Sequence, residues 1–229
     1  MTTRGKNINL FLIDGTAAGR IKCTLSNWTG VVYKIPRDTL ECCKERADLA
    51  QSGVYLLFGQ DAQTKKKVVY IGQANTRKHG KGILHRLQEH KRSQAKNFWT
   101  EAVVFTTSNH SLGSTEISYL ENRFCHMATA AKRYVVQNSN HPALGNVTEE
   151  KESELEEFID NAQLVVTMLG YAVFGPSPAP PSIPARPKNQ SAPPPIAPLP
   201  PGIQSARQNA EDMMSQLIDP SNPAPRREN

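Results

Sequence analysis

Residues 53–72 read Gly53-Val54-Tyr55-Leu56-Leu57-Phe58, then an eight-residue polar, lysine-rich loop over Gly59–Lys66, then Lys67-Val68-Val69-Tyr70-Ile71-Gly72. β-Branched and aromatic residues fill both runs, and a loop of that length joins antiparallel strands, because a parallel crossover needs a dozen or more residues. The stretch therefore predicts a hairpin. Each of its strands carries a tyrosine beside a glycine, and a glycine inside a strand marks a place where a backbone or ligand comes close. Whether Tyr55 and Tyr70 project to one face depends on register, which these residues alone leave open.

Downstream of the hairpin, Ile83–Arg92 predicts a helix, Ala102–Thr106 a strand and Thr115–Lys132 a longer helix. Together they describe an antiparallel sheet with helices against it over residues 51–147, an α+β arrangement. Residues 1–50 predict a β-rich extension with strand-like runs at Asn7–Ile13 and Arg20–Leu25, a third run after Asn27-Trp28-Thr29-Gly30, and a helix over Pro36–Ala50. Residues 148–174 hold a packing helix: Thr148 is placed to cap it, acids fill its first turn, and Gly170 stands at its end. From 175 to 229 the composition changes, with fifteen of the seventeen prolines and no aromatic residue after Phe174. Such a segment buries too little apolar surface to offset its ordering entropy, which predicts a disordered tail. Within it, Ile203, Ala206, Ala210, Met213 and Leu217 recur at helical spacing, so residues 203–218 are either a docking helix for a protein partner or a chance periodicity in a linker.

The formal charge is +6, mild evidence for a polyanionic partner. Its distribution is more informative. Lys65 to Lys96 holds ten Lys or Arg against the single acid Glu89, whereas Glu149 to Asp160 holds seven acids and one Lys. Lys65, Lys66, Lys67, Arg77, Lys78, Lys81, Lys91 and Arg92 are the candidate contacts to a nucleic-acid backbone, with a solvated basic face as the plainer reading. Cys23, Cys42, Cys43 and Cys125 lack the paired spacing of a zinc site and read as reduced thiols. The short apolar run Ile8–Ile13, interrupted by Asn9, suits neither a signal peptide nor a membrane span, which leads to the expectation of a cytoplasmic protein with no membrane association.

Three groups of residues point to chemistry. Glu121 falls on the stripe Ile117, Leu120, Phe124, Ala128 and Ala131 of its helix. A carboxylate there must pair with a cation such as Arg86 or meet a metal ion at the rim of the core. Arg86 and His90, four residues apart, share one edge of the preceding helix, an arrangement that suits phosphate. Tyr55 and Tyr70 supply two phenols, whose ordinary pKa near 10 requires neighbouring cations or metal-bound water before either acts as a base.

In this order, Gly53-Val54-Tyr55, Tyr70-Ile71-Gly72, Arg86 with His90, and Glu121 in a helix resemble the GIY-YIG nuclease superfamily over about Gly53–Asn146, the first tripeptide departing by Val54. Residues 1–50 also resemble the leader of one bacterial branch of that superfamily. The resemblance implies a small three-stranded antiparallel sheet flanked by helices and metal-assisted hydrolysis of a nucleic-acid phosphodiester, DNA more than RNA. It implies Tyr55 as general base or water-positioning phenol, Tyr70 as an orienting group, Arg86 as a stabiliser of phosphorane-like charge, and His90 as its assistant or a proton relay. Glu121 would ligate Mg²⁺ or Mn²⁺, and a late asparagine, Asn138 before Asn140 or Asn146, would complete the site. Here the interval from Gly72 to Arg86 is longer than in compact members and carries Arg77, Lys78, His79 and Lys81. The alternatives are a catalytically weak nucleic-acid-binding adaptor on the same scaffold and an interaction protein acting through its proline-rich tail.

Overall fold

Three strands, β1 (Ile8–Leu12), β2 (Ile21–Leu25) and β3 (Gly30–Pro36), open the chain as an antiparallel meander. The computed structural model describes residues 5–76, 82–138 and 144–175. After β3 the expected helix over Pro36–Ala50 is replaced by two short 3₁₀ helices, Arg37–Cys43 and Ala47–Ala50. The Arg46 N–H turns to the Cys43 carbonyl three residues back, while the Cys42 carbonyl accepts from the Arg20 guanidinium, so α-helical bonding does not propagate. The predicted hairpin follows as β4 (Gly53–Gln60) and β5 (Lys67–Ala74), and then come α1 (Ile83–Arg92), β6 (Trp99–Thr107), α2 (Ser114–Ala131), β7 (Val135–Val136) and α3 (Glu149–Met168).

The strands form one sheet in the order β1-β2-β3-β6-β4-β5-β7, antiparallel throughout except for the parallel pair β5–β7. This corrects the expected small three-stranded sheet to a mixed sheet of seven strands, with the α+β class retained. The cause is the open side of β6: all seven residues of β3 pair with Glu101–Thr107, and β3 brings β1 and β2 with it. On the other side, β5 is extended by the short β7 at Val68 and Val69. The tail beyond Gly175, with the candidate docking segment 203–218, lies outside the described residues.

Period-two alternation divides the sheet into two faces. One face presents Tyr33, Tyr55, Leu57, Ala102 and Val104 to Ile83 and Leu87 of α1 and to Leu40 and Leu49 of the 3₁₀ helices. The opposite face presents Val32, Leu56, Ile71, Val103 and Phe105 to Leu120 and Phe124 of α2 and to Phe158, Ala162 and Val166 of α3. The sequence of α3 determines both of its ends. Thr148 Oγ1 accepts from the Lys151 N–H at 3.4 Å, and Gly170, at φ 94°, lets the Gly170 and Tyr171 N–H groups close on the carbonyls of Thr167 and Val166.

Trp28 ties the N-terminal meander to this second layer: its ring lies 4.9 Å from that of Phe158, and a side chain at Gly30 would run into the indole. Phe158→Ala is expected to cost about 3 kcal/mol, in the range for truncation of a buried aromatic. A lowered midpoint in urea, with Trp28 fluorescence shifted to the red, is the expected result; an unchanged emission maximum would show that Trp28 is held by something else.

Candidate active site

Register settles the direction of the two tyrosines. Tyr55 pairs with Gly72 and Tyr70 pairs with Leu57, so both phenols stand on the α1 face, as diagonal neighbours with ring centroids 6.4 Å apart. Gly72 is required by this packing, because a Cβ there would collide with the Tyr55 hydroxyl. From α1, His90 completes an aromatic triad: its ring is 5.4 Å from Tyr55 and 5.5 Å from Tyr70, and its Nε2 shares a 2.6 Å hydrogen bond with the Tyr55 hydroxyl. Tyr55 is fully buried and His90 only 4% exposed, whereas Tyr70 is half-buried at the rim.

Arg86 lies one turn before His90, partly exposed, with Nη1 donating to Glu89 Oε2 at 2.6 Å. Glu89 also faces His85 Nδ1 at 3.2 Å. These side chains border a recess of about 220 Å³ that runs from His85, Arg86 and Glu89 to Gln73 and Asn75. Gln73 is on the opposite face of β5 from Tyr70, where it hydrogen-bonds Ser118 of α2 at 3.3 Å and its amide favours the ionised form of Glu121, also on α2. Glu121 is 9% exposed. Tyr55, Tyr70, Arg86 and His90 thus approach the edge of β5 from one face, and Glu121 approaches it from the other. Among the described residues, the side of β5 away from β4 is paired only by β7, at Val68 and Val69.

Burial and crowding of cations shape the electrostatics. Burial pushes Glu121 upward in pKa, which the Gln73 hydrogen bond and the Arg86 guanidinium only partly oppose. Burial likewise raises both phenols, with the Glu121 carboxylate adding to the shift and Arg86 working against it. His90 is brought down to about 4, first by burial and then by Arg86 and Lys96, so it is a neutral imidazole at pH 7. Lys96 falls to about 8 for the same two reasons, burial and Arg86; its Nζ sits 2.8 Å from the centroid of the Tyr70 ring, a close cation–π contact.

The other anticipated residues have different surroundings. Asn138 is used on the backbone: its Oδ1 accepts from the Ile71 N–H at 3.0 Å and its Nδ2 donates to the Ile71 carbonyl at 2.7 Å, continuing the β5–β7 ladder by a side chain. It therefore positions the strand that carries Tyr70. Lys66 and Lys67 line a groove near the end of α2, Lys65 stands in the hairpin loop, and Lys91 and Arg92 close α1 on the opposite face. The basic run is thus split between surfaces, and Arg77, Lys78 and Lys81 lie outside the described residues. Lys96, Gln73 and Glu89 belong to the site although their residue types did not single them out. Gln73 follows Tyr70-Ile71-Gly72 directly, and the strand period alone places it opposite Tyr70.

Among the described residues no three His, Cys, Asp or Glu side chains gather into a metal-binding group, and no helix is long and apolar enough to cross a membrane. Cys23, Cys43 and Cys125 are buried free thiols and Cys42 an exposed one. No protein-family model matches the chain, and no curated protein or solved structure matches it either.

The depressed His90 pKa makes stability pH-dependent. Between pH 6.5 and about 4 the unfolded chain binds a proton that the folded His90 refuses, so this contribution is full above pH 6.5 and is lost as the pH falls toward 4. The wild-type urea midpoint should therefore drop more steeply between pH 7 and pH 4.5 than that of His90→Gln. Parallel profiles would show that His90 titrates as it does in the unfolded chain.

Proposed function

We propose that the chain is a metal-dependent endonuclease of the GIY-YIG type, hydrolysing phosphodiester bonds in nucleic acid, DNA by preference. The observation that carries this reading is the convergence of two phenols, an imidazole and a guanidinium from one face of β5 with a buried carboxylate from the other, near the margin of the sheet. Packing alone gives no reason to place a carboxylate there, since burial disfavours its charged form and Gln73 is a neutral partner.

The donor set suits Mg²⁺ or Mn²⁺. The Glu121 carboxylate alone is few ligands, which fits an ion that keeps several waters and takes further oxygens from substrate phosphate. When bound, the metal supplies Lewis-acid polarisation of the phosphate and a more acidic water. Arg86, partly exposed beside the recess, holds the non-bridging phosphate oxygens and stabilises the charge that grows on them. Tyr70 borders the reacting atoms, and the Lys96 ammonium on its ring favours added negative charge at its hydroxyl.

Tyr55 and His90 act as a pair. A buried phenol is a poor source of phenolate, but Tyr55 can accept the proton of the attacking water as it passes its own proton to His90 Nε2 across their 2.6 Å bond. His90 is a weak base at rest first because it is buried and then because Arg86 and Lys96 face it. An arriving phosphate offsets those charges and raises its basicity, so substrate binding primes the base.

A second reading, a nucleic-acid-binding adaptor with little turnover, is favoured by one observation: Tyr55 is wholly enclosed. Supercoiled plasmid and branched duplexes incubated with Mg²⁺ or Mn²⁺ distinguish the two. Metal-dependent nicking that EDTA abolishes is the expected result, and Arg86→Ala or Glu121→Gln should lose at least about a hundredfold in rate, the usual scale for removing one preorganised charge from such a site. Undiminished nicking in either variant would overturn the site assignment; absence of cleavage on every substrate would favour the adaptor.

A further inference from the structure

A groove of about 700 Å³ on the described surface plays no part in the chemistry outlined above. Its charged lining is cationic throughout: Lys66 at the end of the hairpin loop, Lys67 at the start of β5, and Lys132 and Arg133 from the turn after α2. Lys132 takes a left-handed conformation, φ 55°, which ends α2 abruptly and leads the chain into β7, with Lys132 and Arg133 both exposed. No acidic side chain lines the groove among the described residues. Between the cations lie apolar surfaces: the ring of Tyr134, half-buried, held edgewise against Phe58 at 5.4 Å and approached by Lys67 Nζ at 5.9 Å, and Val135, 47% exposed.

The groove adjoins the candidate active site. Asn138 forms part of its wall and is bonded to Ile71, the neighbour of Tyr70, while Cys125 in its lining is one helical turn along α2 from Glu121. A surface that held only the outside of a duplex would need phosphate-binding cations and nothing more. The combination here, cations interleaved with an aromatic ring and an exposed aliphatic side chain, matches single-stranded nucleic acid, which offers phosphates and unstacked bases together.

We propose that this groove binds a single-stranded segment of nucleic acid next to the scissile phosphodiester, with Lys66, Lys67, Lys132 and Arg133 on its phosphates and a base against Tyr134. The substrate would then be a flap, overhang or branched end rather than a continuous duplex. The proposal takes its purpose from the nuclease reading, but its binding chemistry stands apart from catalysis.

Fluorescence anisotropy of the full-length chain in EDTA tests it, with a labelled single strand of about a dozen nucleotides, within the span such grooves cover, and the duplex of the same sequence. The single strand should bind more tightly. Lys132→Ala with Arg133→Ala, both exposed positions, should weaken that binding about tenfold or more and lower the dependence of log K on log salt by about 0.7 for each phosphate no longer neutralised. Tyr134→Leu should weaken it about tenfold through the missing base stacking, with circular dichroism confirming a folded chain. Duplex bound as tightly as single strand, or a double variant that binds like wild type, would overturn the proposal. Cleavage of branched and flapped duplexes as well as plasmid, measured on the same preparations, separates this failure from that of the nuclease reading. Normal cleavage with unaltered single-strand binding in the double variant removes the groove and keeps the enzyme; the expected weakening of binding with no cleavage of any of these substrates by wild type keeps the groove and removes the enzyme.

Discussion

The site depends on the antiparallel pairing of β4 with β5 in a register that sets Gly72 opposite Tyr55 and Leu57 opposite Tyr70. With a side chain at 72 the Tyr55 ring could not occupy its place, and a slip of one residue would send Tyr70 to the α2 face, away from His90. The register is secured on both sides. β6 pairs with β4 from Val54 to Gly59, and the Asn138 amide takes both backbone groups of Ile71, holding the middle of β5 where its own ladder would otherwise end.

A strand near the margin of the sheet also explains how groups from two layers meet. A helix packed on one face of a sheet ordinarily has no access to the other face. β5 lies near the margin of the sheet, so α1 and α2 approach it from opposite faces, bringing Arg86 and His90 from one and Glu121 from the other. Burial then acts in the same sense on every neutralisable group: Glu121 and the phenols are pushed up, His90 and Lys96 down, each toward its uncharged form.

Much of this was legible in the sequence because it depends on local periodicity. The apolar spacing of Ile83, Leu84 and Leu87 marks α1, and the position of Glu121 on an apolar stripe foretold its burial, which the structure sets at 9% exposure. What was not legible depends on contacts between distant residues. Nothing within residues 30–36 says that they pair with 101–107, so the sheet was expected at three strands and has seven. Asn138 was selected as a site residue for its type, whereas its amide is engaged by a backbone 67 positions away. Lys96 looked like one charge in a basic run, and only the fold places it on the Tyr70 ring. The same run suggested one continuous patch, but the hairpin and α1 carry its two ends to different surfaces.

The central claim is that Glu121, reaching β5 from one side, and the Tyr55–Tyr70–His90 cluster on the other serve a single divalent ion. Paramagnetic broadening of side-chain NMR signals by Mn²⁺ tests that claim most directly and requires no turnover. Substoichiometric Mn²⁺ should broaden the ring resonances of Tyr70 and His90 first, leave those of Trp28 and Phe158 sharp, and lose its effect in Glu121→Gln. Broadening centred elsewhere, or unchanged in that variant, would contradict it.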